Sequence, residues 1–439
     1  MSETVNRLDK LRGRLNTMSA QVKTGRVVQV TGLIIESEGP DLALGELCSI
    51  ESERNGLSIE AEVVGFREQR LLLMPLMTMT DVHAGATVKA LGGGERVPVG
   101  DALLGRVIDG RGQPMDDLGP IQAPLTNGLQ ASAPNPLKRR KIENILKTGV
   151  RSLDLFTPIG CGQRMGIFAG SGVGKSTLLG MVARSSEADV NVIALIGERG
   201  RELREFIEND LKEDGLKKSV VIASTSDQPA PLRVRAALVA TRVAEHFRSQ
   251  GKRVMLMMDS LTRLAMAQRE IGLAVGEPPT SRGYTPSVFA LLPKVLERAG
   301  MDEKGAITGL YTVLVEGDDM NEPIADATRG ILDGHIVLSR NLATSNHYPP
   351  VDVLESLSRL ARQLTSEAEY NLVSNARDLL ATYRKNEDLV QVGAYVKGTN
   401  PKLDRAIQKY PLIMELLRQH YDECADREVA LKKLKEIAS

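Results

Sequence analysis

Between Ala169 and Ser176 the chain reads AGSGVGKS, a glycine-rich run closed by a lysine and a hydroxyl residue. Glycines let such a loop curl until successive backbone N–H groups point inward at a polyphosphate, and a helix N-terminus just beyond adds partial positive charge. In that geometry Ala169, Gly170, Ser171, Gly172, Val173, Gly174, Lys175, Ser176 and Thr177 surround the phosphates of a nucleotide such as ATP. Lys175 then meets the β/γ-phosphates and the Ser176 hydroxyl ligates Mg²⁺. Ala169 stands where the usual pattern has Gly, a small residue that still lets the strand end pass. A turn that merely joins strand to helix is the bland alternative. The flanks speak for the nucleotide, because apolar Met165 to Phe168 precede the loop and Leu178, Leu179, Met181 and Val182 follow at helical spacing.

Two carboxylates complete the candidate chemistry. Val254 to Met258 is a fully apolar strand pattern that ends at Asp259, and Val190 to Ile196 is another, followed by Gly197-Glu198-Arg199-Gly200-Arg201-Glu202. In open parallel sheets ligands bind outside the carboxyl ends of the strands, where both acids fall. Asp259 is expected to hold Mg²⁺ through water, or else to cap the helix that follows. Glu198 suits the group that polarises the attacking water in phosphoryl transfer. A helix-start salt bridge to Arg199 or Arg201 is its alternative.

The elements that must position these groups alternate strand and helix. Val220 to Ser224 and Ile307 to Val315 are further strands, and Leu232, Ala236, Val239, Val243 and Phe247 keep one helical face. This alternation predicts a mainly parallel sheet with crossover helices. With 439 residues the chain should divide into two or three domains. Val5, Leu8, Leu11, Leu15, Met18 and Val22 form a stripe with basic residues between them, a short amphipathic helix that either docks on its own domain or serves partners, oligomers or a membrane surface. Arg26 to Leu104 is different: β-rich segments such as Val27 to Ile35, Ala61 to Phe66, Arg70 to Met74 and Thr87 to Leu91 are punctuated by glycines, as in a small barrel or sandwich. Gly105 to Lys147, rich in Gly and Pro, reads as an extended connector whose Lys138 to Lys141 basic cluster receives no role.

Composition excludes several function classes. Lys+Arg and Asp+Glu are both 56, so no global field draws the chain to nucleic acid or membrane. Aromatics are 3% with no Trp, which leaves few stacking platforms for single strands. Cys48, Cys161 and Cys424 are far apart and lack metal spacing, as suits free thiols in a cytoplasmic protein. The longest apolar runs, Leu71 to Met74 and Val254 to Met258, are far too short to span a bilayer.

Seven collinear blocks carry a resemblance. They are LGRVIDGRGQPMDD (Leu104 to Asp117), GQRMGIFAGSGVGKS (Gly162 to Ser176), LIGERGRE (Leu195 to Glu202), MMDSLTRLAMAQREI (Met257 to Ile271), GEPPTSRGYTPSVFALLPKVLERAG (Gly276 to Gly300), EGDDMNEPIADATRGILDGHIVLSR (Glu316 to Arg340) and HYPPVDVLESLSR (His347 to Arg359). Over nearly its whole length the chain resembles the flagellum-specific type III export ATPases, within the superfamily of rotary F-type and V-type ATPase catalytic subunits. The resemblance implies an α/β fold: a RecA-like P-loop ATPase core with a parallel sheet, a small N-terminal β-barrel before it and a C-terminal helical domain after it. The implied regions are the helix at 1–22, the barrel at 23–95, the ATPase domain at 96–365 and the helical domain at 366–439. By similarity, Lys175 and Ser176 bind phosphates and Mg²⁺, Glu198 is the catalytic carboxylate, and Asp259 is the acid of the second magnesium element. Arg199 and Arg263 neighbour the phosphates, and Tyr348 packs on the adenine. Arg359, at the end of SLSR, is implied as the arginine finger offered to a neighbouring subunit. Read from the residues alone, it is one of many helix arginines.

The implied activity is Mg²⁺-dependent ATP hydrolysis in a homohexameric ring at the cytoplasmic face of the flagellar basal body. Its expected partners are stator-like and central-stalk-like export proteins, the export gate and substrate–chaperone complexes, with peripheral association at the inner membrane and no nucleic acid. Two departures narrow the member. Leu379 to Ile407 lacks the acidic stretch of a synthase β subunit, and Glu198 is absent from noncatalytic α subunits. A virulence injectisome ATPase shares every catalytic block and stays open as the alternative. An RNA-translocating helicase of the Rho type and a nucleotide-binding scaffold without turnover are the readings from other classes.

Overall fold

The computed structural model describes residues 23–438 apart from 52–57, 79–81, 93–95, 124, 316 and 318. The stripe from Val5 to Val22 lies outside the described residues. The chain divides into two compact units, one ending at Glu95 and including Leu273–Glu277, the other comprising Arg96–Gly272 and Pro278–Ser439.

The first unit is a closed barrel of β1 (Thr24–Thr31), β2 (Ile34–Glu38), β3 (Leu47–Glu51), β4 (Ser58–Arg67), β5 (Arg70–Pro75) and β6 (Thr87–Ala90), in the order β1-β2-β5-β4-β3-β6. Its sequence alternates as a half-buried strand should: Ile59, Ala61 and Val63 of β4 face inward while their neighbours are less buried. Closure leaves no unpaired strand edge. The run from Val27 to Ile35 is two strands rather than one, turned at Gly32.

In the second unit β7 (Arg96–Val99) pairs with β9 (Leu125–Gly128), and β8 (Val107–Ile108) joins the edge of a large sheet. The connector expected at Gly105 to Lys147 is therefore partly sheet, and it is pinned where Arg106 forks onto Asp116 at 2.7 and 2.8 Å. The basic cluster in it is structural. Arg139 donates to the carbonyls of Glu297 and Ala299, and Arg140 to those of Asp302 and Lys304, so the guanidinia close the end of the helix Pro286–Leu296 and the turn beyond it.

The large sheet runs β17-β16-β10-β15-β13-β11-β12-β8, with β10 (Arg164–Ala169), β11 (Val190–Glu198), β12 (Ser219–Thr225), β13 (Arg253–Asp259), β15 (Ala306–Leu314), β16 (Gly334–Leu338) and β17 (Val351–Ser358); β14 (Gly300–Met301) pairs beside β15. Strands β8 and β10 to β13, with β15 and β16, are parallel, and β17 is antiparallel to β16. The middle strands are covered on both faces, which is why they read as unbroken apolar runs: Val192, Ile193, Met257 and Leu310 are all 0% exposed. Each such side chain contributes roughly 1.5–3 kcal/mol of burial, so the strand ends that carry polar groups rest on a stiff base.

Helices Glu367–Lys385, Pro401–Leu417 and Arg427–Ala438 follow the sheet. The first opens with a capping box in which Ser366 accepts from the Glu369 N–H and Glu369 reaches back to Ser366. Two prolines that would be expected to break the helical pattern do not. Pro401 occupies the first turn of its helix, where no N–H is needed, and Pro411 is carried inside the helix.

Candidate active site

The phosphate-loop residues lie where β10, an interior strand of the sheet, ends. β10 stops at Ala169, which pairs with Leu314 of β15 and is 2% exposed. The helix Lys175–Ser185 starts six residues on. Gly172 and Gly174 bend the loop with φ of +74° and +104°, conformations that cost a side chain dearly. Val173 is buried and pins the loop, while Ser171 and Gly172 are exposed on its outer side. Ser176 and Thr177 occupy the first helical turn, half-buried.

Lys175 is the junction of the site. Its ammonium contacts Asp259 Oδ1 at the end of β13 and lies 3.5 Å from Glu198 Oε1 at the end of β11. The three side chains are nearly enclosed, with exposures of 11%, 4% and 13%. Burial works against the Lys175 charge, but Asp259 and Glu198 outweigh it and hold its pKa above the ordinary lysine value. Burial pushes the Glu198 carboxyl up to about 7; Lys175 opposes the rise, and Asp259 and Glu202 add to it. A carboxyl poised near neutrality is suited to accept a proton.

Local backbone geometry aims both acids. Register along β11 and β12 slips between Ile196 and Glu198, a bulge made possible by Gly197 at φ +68°. A Cβ on Gly197 would come within 3.1 Å of the Arg263 side chain, so the glycine also admits Arg263 beside the strand end. Asp259 does not cap the helix Leu261–Val275; Ser260 does, accepting from the Arg263 N–H at 3.3 Å. Nor does Glu198 make a helix-start ion pair: Arg199 pairs with Glu202 at 3.6 Å and Arg201 with Glu205 at 2.8 Å.

The other sequence-derived residues fall at different distances from this cluster. Arg263 is adjacent to it. Arg199 is exposed and turned to Glu202. Tyr348 is 44% exposed in a groove beside the loop that it shares with Gly174, Pro350, His420 and Tyr421. His420 and Tyr421, whose rings lie 4.3 Å apart, were not signalled by the sequence, because they reach the groove from the turn after the helix Pro401–Leu417. Lys212 holds that turn, with its ammonium 2.5 Å from Asp422 and 5.3 Å from the Tyr421 ring centre. Arg340, also unsignalled, donates to the Ser171 carbonyl of the loop at 3.3 Å.

Arg359 is not in the cluster. β17 runs antiparallel to its neighbour β16, so its C-terminal end lies at the edge where the parallel strands begin. The Arg359 N–H bonds to Asp333, just before β16, and its side chain donates to the Arg329 carbonyl at 3.0 Å. From that level to Gly170 is the full length of β10, on the order of 20 Å at about 3.3 Å per residue.

Hard oxygen donors suit Mg²⁺, which commonly takes only one or two protein ligands beside phosphates and waters. The residues present fit: Ser176 offers a hydroxyl and Asp259 a carboxylate that already holds one cation, the Lys175 ammonium.

Comparison with known proteins agrees with this geometry. The chain matches the beta-barrel domain of the ATP synthase alpha/beta family over residues 27–92, that family's nucleotide-binding domain over 149–358, and the T3SS EscN ATPase C-terminal domain over 365–436. It is 53% identical to the flagellum-specific ATP synthase of Bacillus subtilis over 417 residues, covering 93% of this chain and 94% of that one. It is 50% identical to the type 3 secretion system ATPase of Xanthomonas euvesicatoria over 427 residues, covering 97% of each. Its fold matches the assembled ATPase EscN of enteropathogenic E. coli, solved in complex with its central stalk EscO, with a TM-score of 0.87 at 42% identity over 94% of this chain and 100% of that one. With barrel, nucleotide-binding and C-terminal regions all matched in order, the chain belongs to the ATP synthase alpha/beta family, in the branch that holds flagellum-specific ATP synthases and type 3 secretion system ATPases.

Proposed function

We propose that this chain is a Mg²⁺-dependent ATP hydrolase that works as a ring and energises flagellar type III protein export. The observation that carries the reading is the Lys175 ammonium held between Glu198 and Asp259 beside a phosphate loop. The loop N–H groups and Lys175 bind the triphosphate, and Tyr348 receives the base. Ser176 and Asp259 would hold Mg²⁺, which supplies charge neutralisation on the phosphates. Glu198 orients a water and takes its proton as the water oxygen bonds to the γ-phosphorus and the bond to the bridging oxygen of ADP breaks. Arg263 adds positive charge beside the strand ends, and Arg199 is close enough in sequence to do so if it leaves Glu202.

Arg359 lies at the wrong edge of the sheet to reach its own phosphate loop. Its service as a finger therefore needs a neighbouring chain, which makes the ring part of the chemistry. The likeness to EscN, solved assembled and with its stalk EscO, supports a homo-oligomer with a central-stalk partner. Six chains per ring, a stator-like regulator, the export gate and substrate–chaperone complexes complete the proposal, with residues 1–22 as a partner-binding helix, 23–95 as barrel, 96–365 as ATPase domain and 366–439 as helical domain. Among the described residues no helix is long and apolar enough to cross a membrane. The proposed place of the ring, which follows from the flagellar reading, is the cytoplasmic face of the basal body.

The test is genetic and biochemical together. Cells whose only copy carries Lys175→Ala should assemble no flagellar filaments, and the purified wild-type chain should release phosphate from MgATP without stimulation by RNA. Normal filaments with loss of an injectisome's secretion would transfer the chain to the virulence system; strong RNA stimulation would favour a translocase.

A further inference from the structure

Asp259 is held by more than the phosphate-loop lysine. β15 reads AITGLYTVL, and within this apolar run Thr312 is 0% exposed. Met258 pairs with Tyr311, so the next residues, Asp259 and Thr312, stand side by side at the ends of adjacent strands. The Thr312 hydroxyl lies 2.7 Å from Asp259 Oδ1 and 3.4 Å from the Met258 carbonyl. Hydroxyl hydrogen bonds are about 2.5–3.0 Å long, so the proton goes to the carboxylate. The same Oδ1 accepts from Lys175, and among the described residues no donor reaches Oδ2.

That arrangement matters because an aspartate's terminal torsion is soft and a buried carboxylate turns to whichever donors remain. Lys175 is a shared donor, wanted by Glu198, by Asp259 and by the phosphates its loop is built to bind. Thr312 is not called on by the nucleotide: its other acceptor, the Met258 carbonyl, is long at 3.4 Å, and its side chain is β-branched, stiff at χ1 and fully packed. We propose that Thr312 is a positioning residue that fixes the rotation of the Asp259 carboxylate, so that Oδ2 stays free to serve Mg²⁺ when Lys175 turns to the nucleotide. The inference rests on the assignment of Asp259 to the metal.

Binding of a fluorescent ADP analogue, titrated with Mg²⁺ and measured separately in EDTA, tests it without relying on turnover. Partners that orient a metal ligand are commonly worth 10–100-fold in metal affinity, so T312V should need about tenfold more Mg²⁺ for half-maximal tightening of nucleotide binding. Its affinity in EDTA should match the wild type, and T312S, which keeps the hydroxyl, should restore the wild-type titration. T312V with a wild-type titration, or T312S as impaired as T312V, would overturn the proposal. If T312V does not fold, T312A gives the same comparison against T312S. D259N separates the role of Asp259 from that of Thr312. A normal Mg²⁺ titration in D259N removes the metal assignment itself, whereas a shifted D259N beside a normal T312V removes only the role of Thr312.

Discussion

Replacing Glu198 by Gln keeps the shape of the side chain and deletes its capacity to take a proton. General-base assistance is worth about 10²–10⁴ in rate. Turnover should therefore fall by roughly 3–5 kcal/mol of barrier. Nucleotide binding should survive, because the Lys175–Glu198 contact is long at 3.5 Å and Lys175 keeps Asp259. Folding should survive too: burial already pushes the Glu198 carboxyl up to about 7, so its charge is poorly accommodated and a neutral amide suits the site. The same shift sets the pH dependence. A base works deprotonated, so kcat/KM should rise with pH through about 7 in the wild type, and that limb should be missing from the residual activity of E198Q. Phosphate release and binding of a fluorescent ATP analogue, measured on the same preparation, decide it. Wild-type turnover in E198Q, or a loss of binding as large as the loss of turnover, would refute the role given to Glu198.

Three further perturbations follow from the packing. Lys175→Ala leaves two enclosed carboxylates facing each other without a cation, so beside losing nucleotide binding it should lose about 3 kcal/mol of stability in urea unfolding. Arg377 donates to the carbonyls of Phe156 at 2.6 Å and Ser356 at 3.2 Å and fastens the helix Glu367–Lys385 to the sheet. Arg377→Ala should cost about 2–3 kcal/mol and render that helix the first site of limited proteolysis. The Arg106 hydrogen bond, with backbone N–H groups assisting against burial, lowers Asp116 to about 2. A depressed carboxyl stabilises the fold above its unfolded pKa, so the advantage of wild type over Asp116→Asn should be constant above about pH 5 and vanish as pH falls toward 2.

The candidate site was legible wherever chemistry and periodicity coincide in one segment. The phosphate loop stands between an apolar run and a helical pattern, and β11, β12, β13 and β15 read as apolar runs that stop at a polar residue, so Glu198 and Asp259 could be placed at strand ends before any contact was known. What the sequence does not display depends on contacts remote in sequence or on elements too short to have a period. β8 is two residues long, and β3, LCSIE, mixes polar and apolar positions within five residues. Tyr421 meets Tyr348's groove from more than seventy positions away, with no local pattern to announce it. Thr312 did carry a signal, a polar residue inside a run that must be buried, and buried hydroxyls need partners. Arg359 shows the reverse case. Its finger role comes only from resemblance, and the strand order adds a physical condition: such a role would need another chain, because Arg359 lies at the far end of the sheet from its own phosphate loop.

In the proposed ring each active site is built from two chains, with Glu198 from one and Arg359 from its neighbour. Arg359→Ala should bind ATP yet lose about 10³–10⁵ in rate, as removal of an arginine finger does. Rings that mix Arg359→Ala chains with Glu198→Gln chains contain interfaces at which one chain's intact Glu198 meets the other's intact Arg359. Phosphate release should therefore reappear on coassembly of the two inactive variants, peak at intermediate mixing ratios and vanish when either is assembled alone. Rings proven to be mixed that stay inactive at every ratio would contradict a site shared between chains.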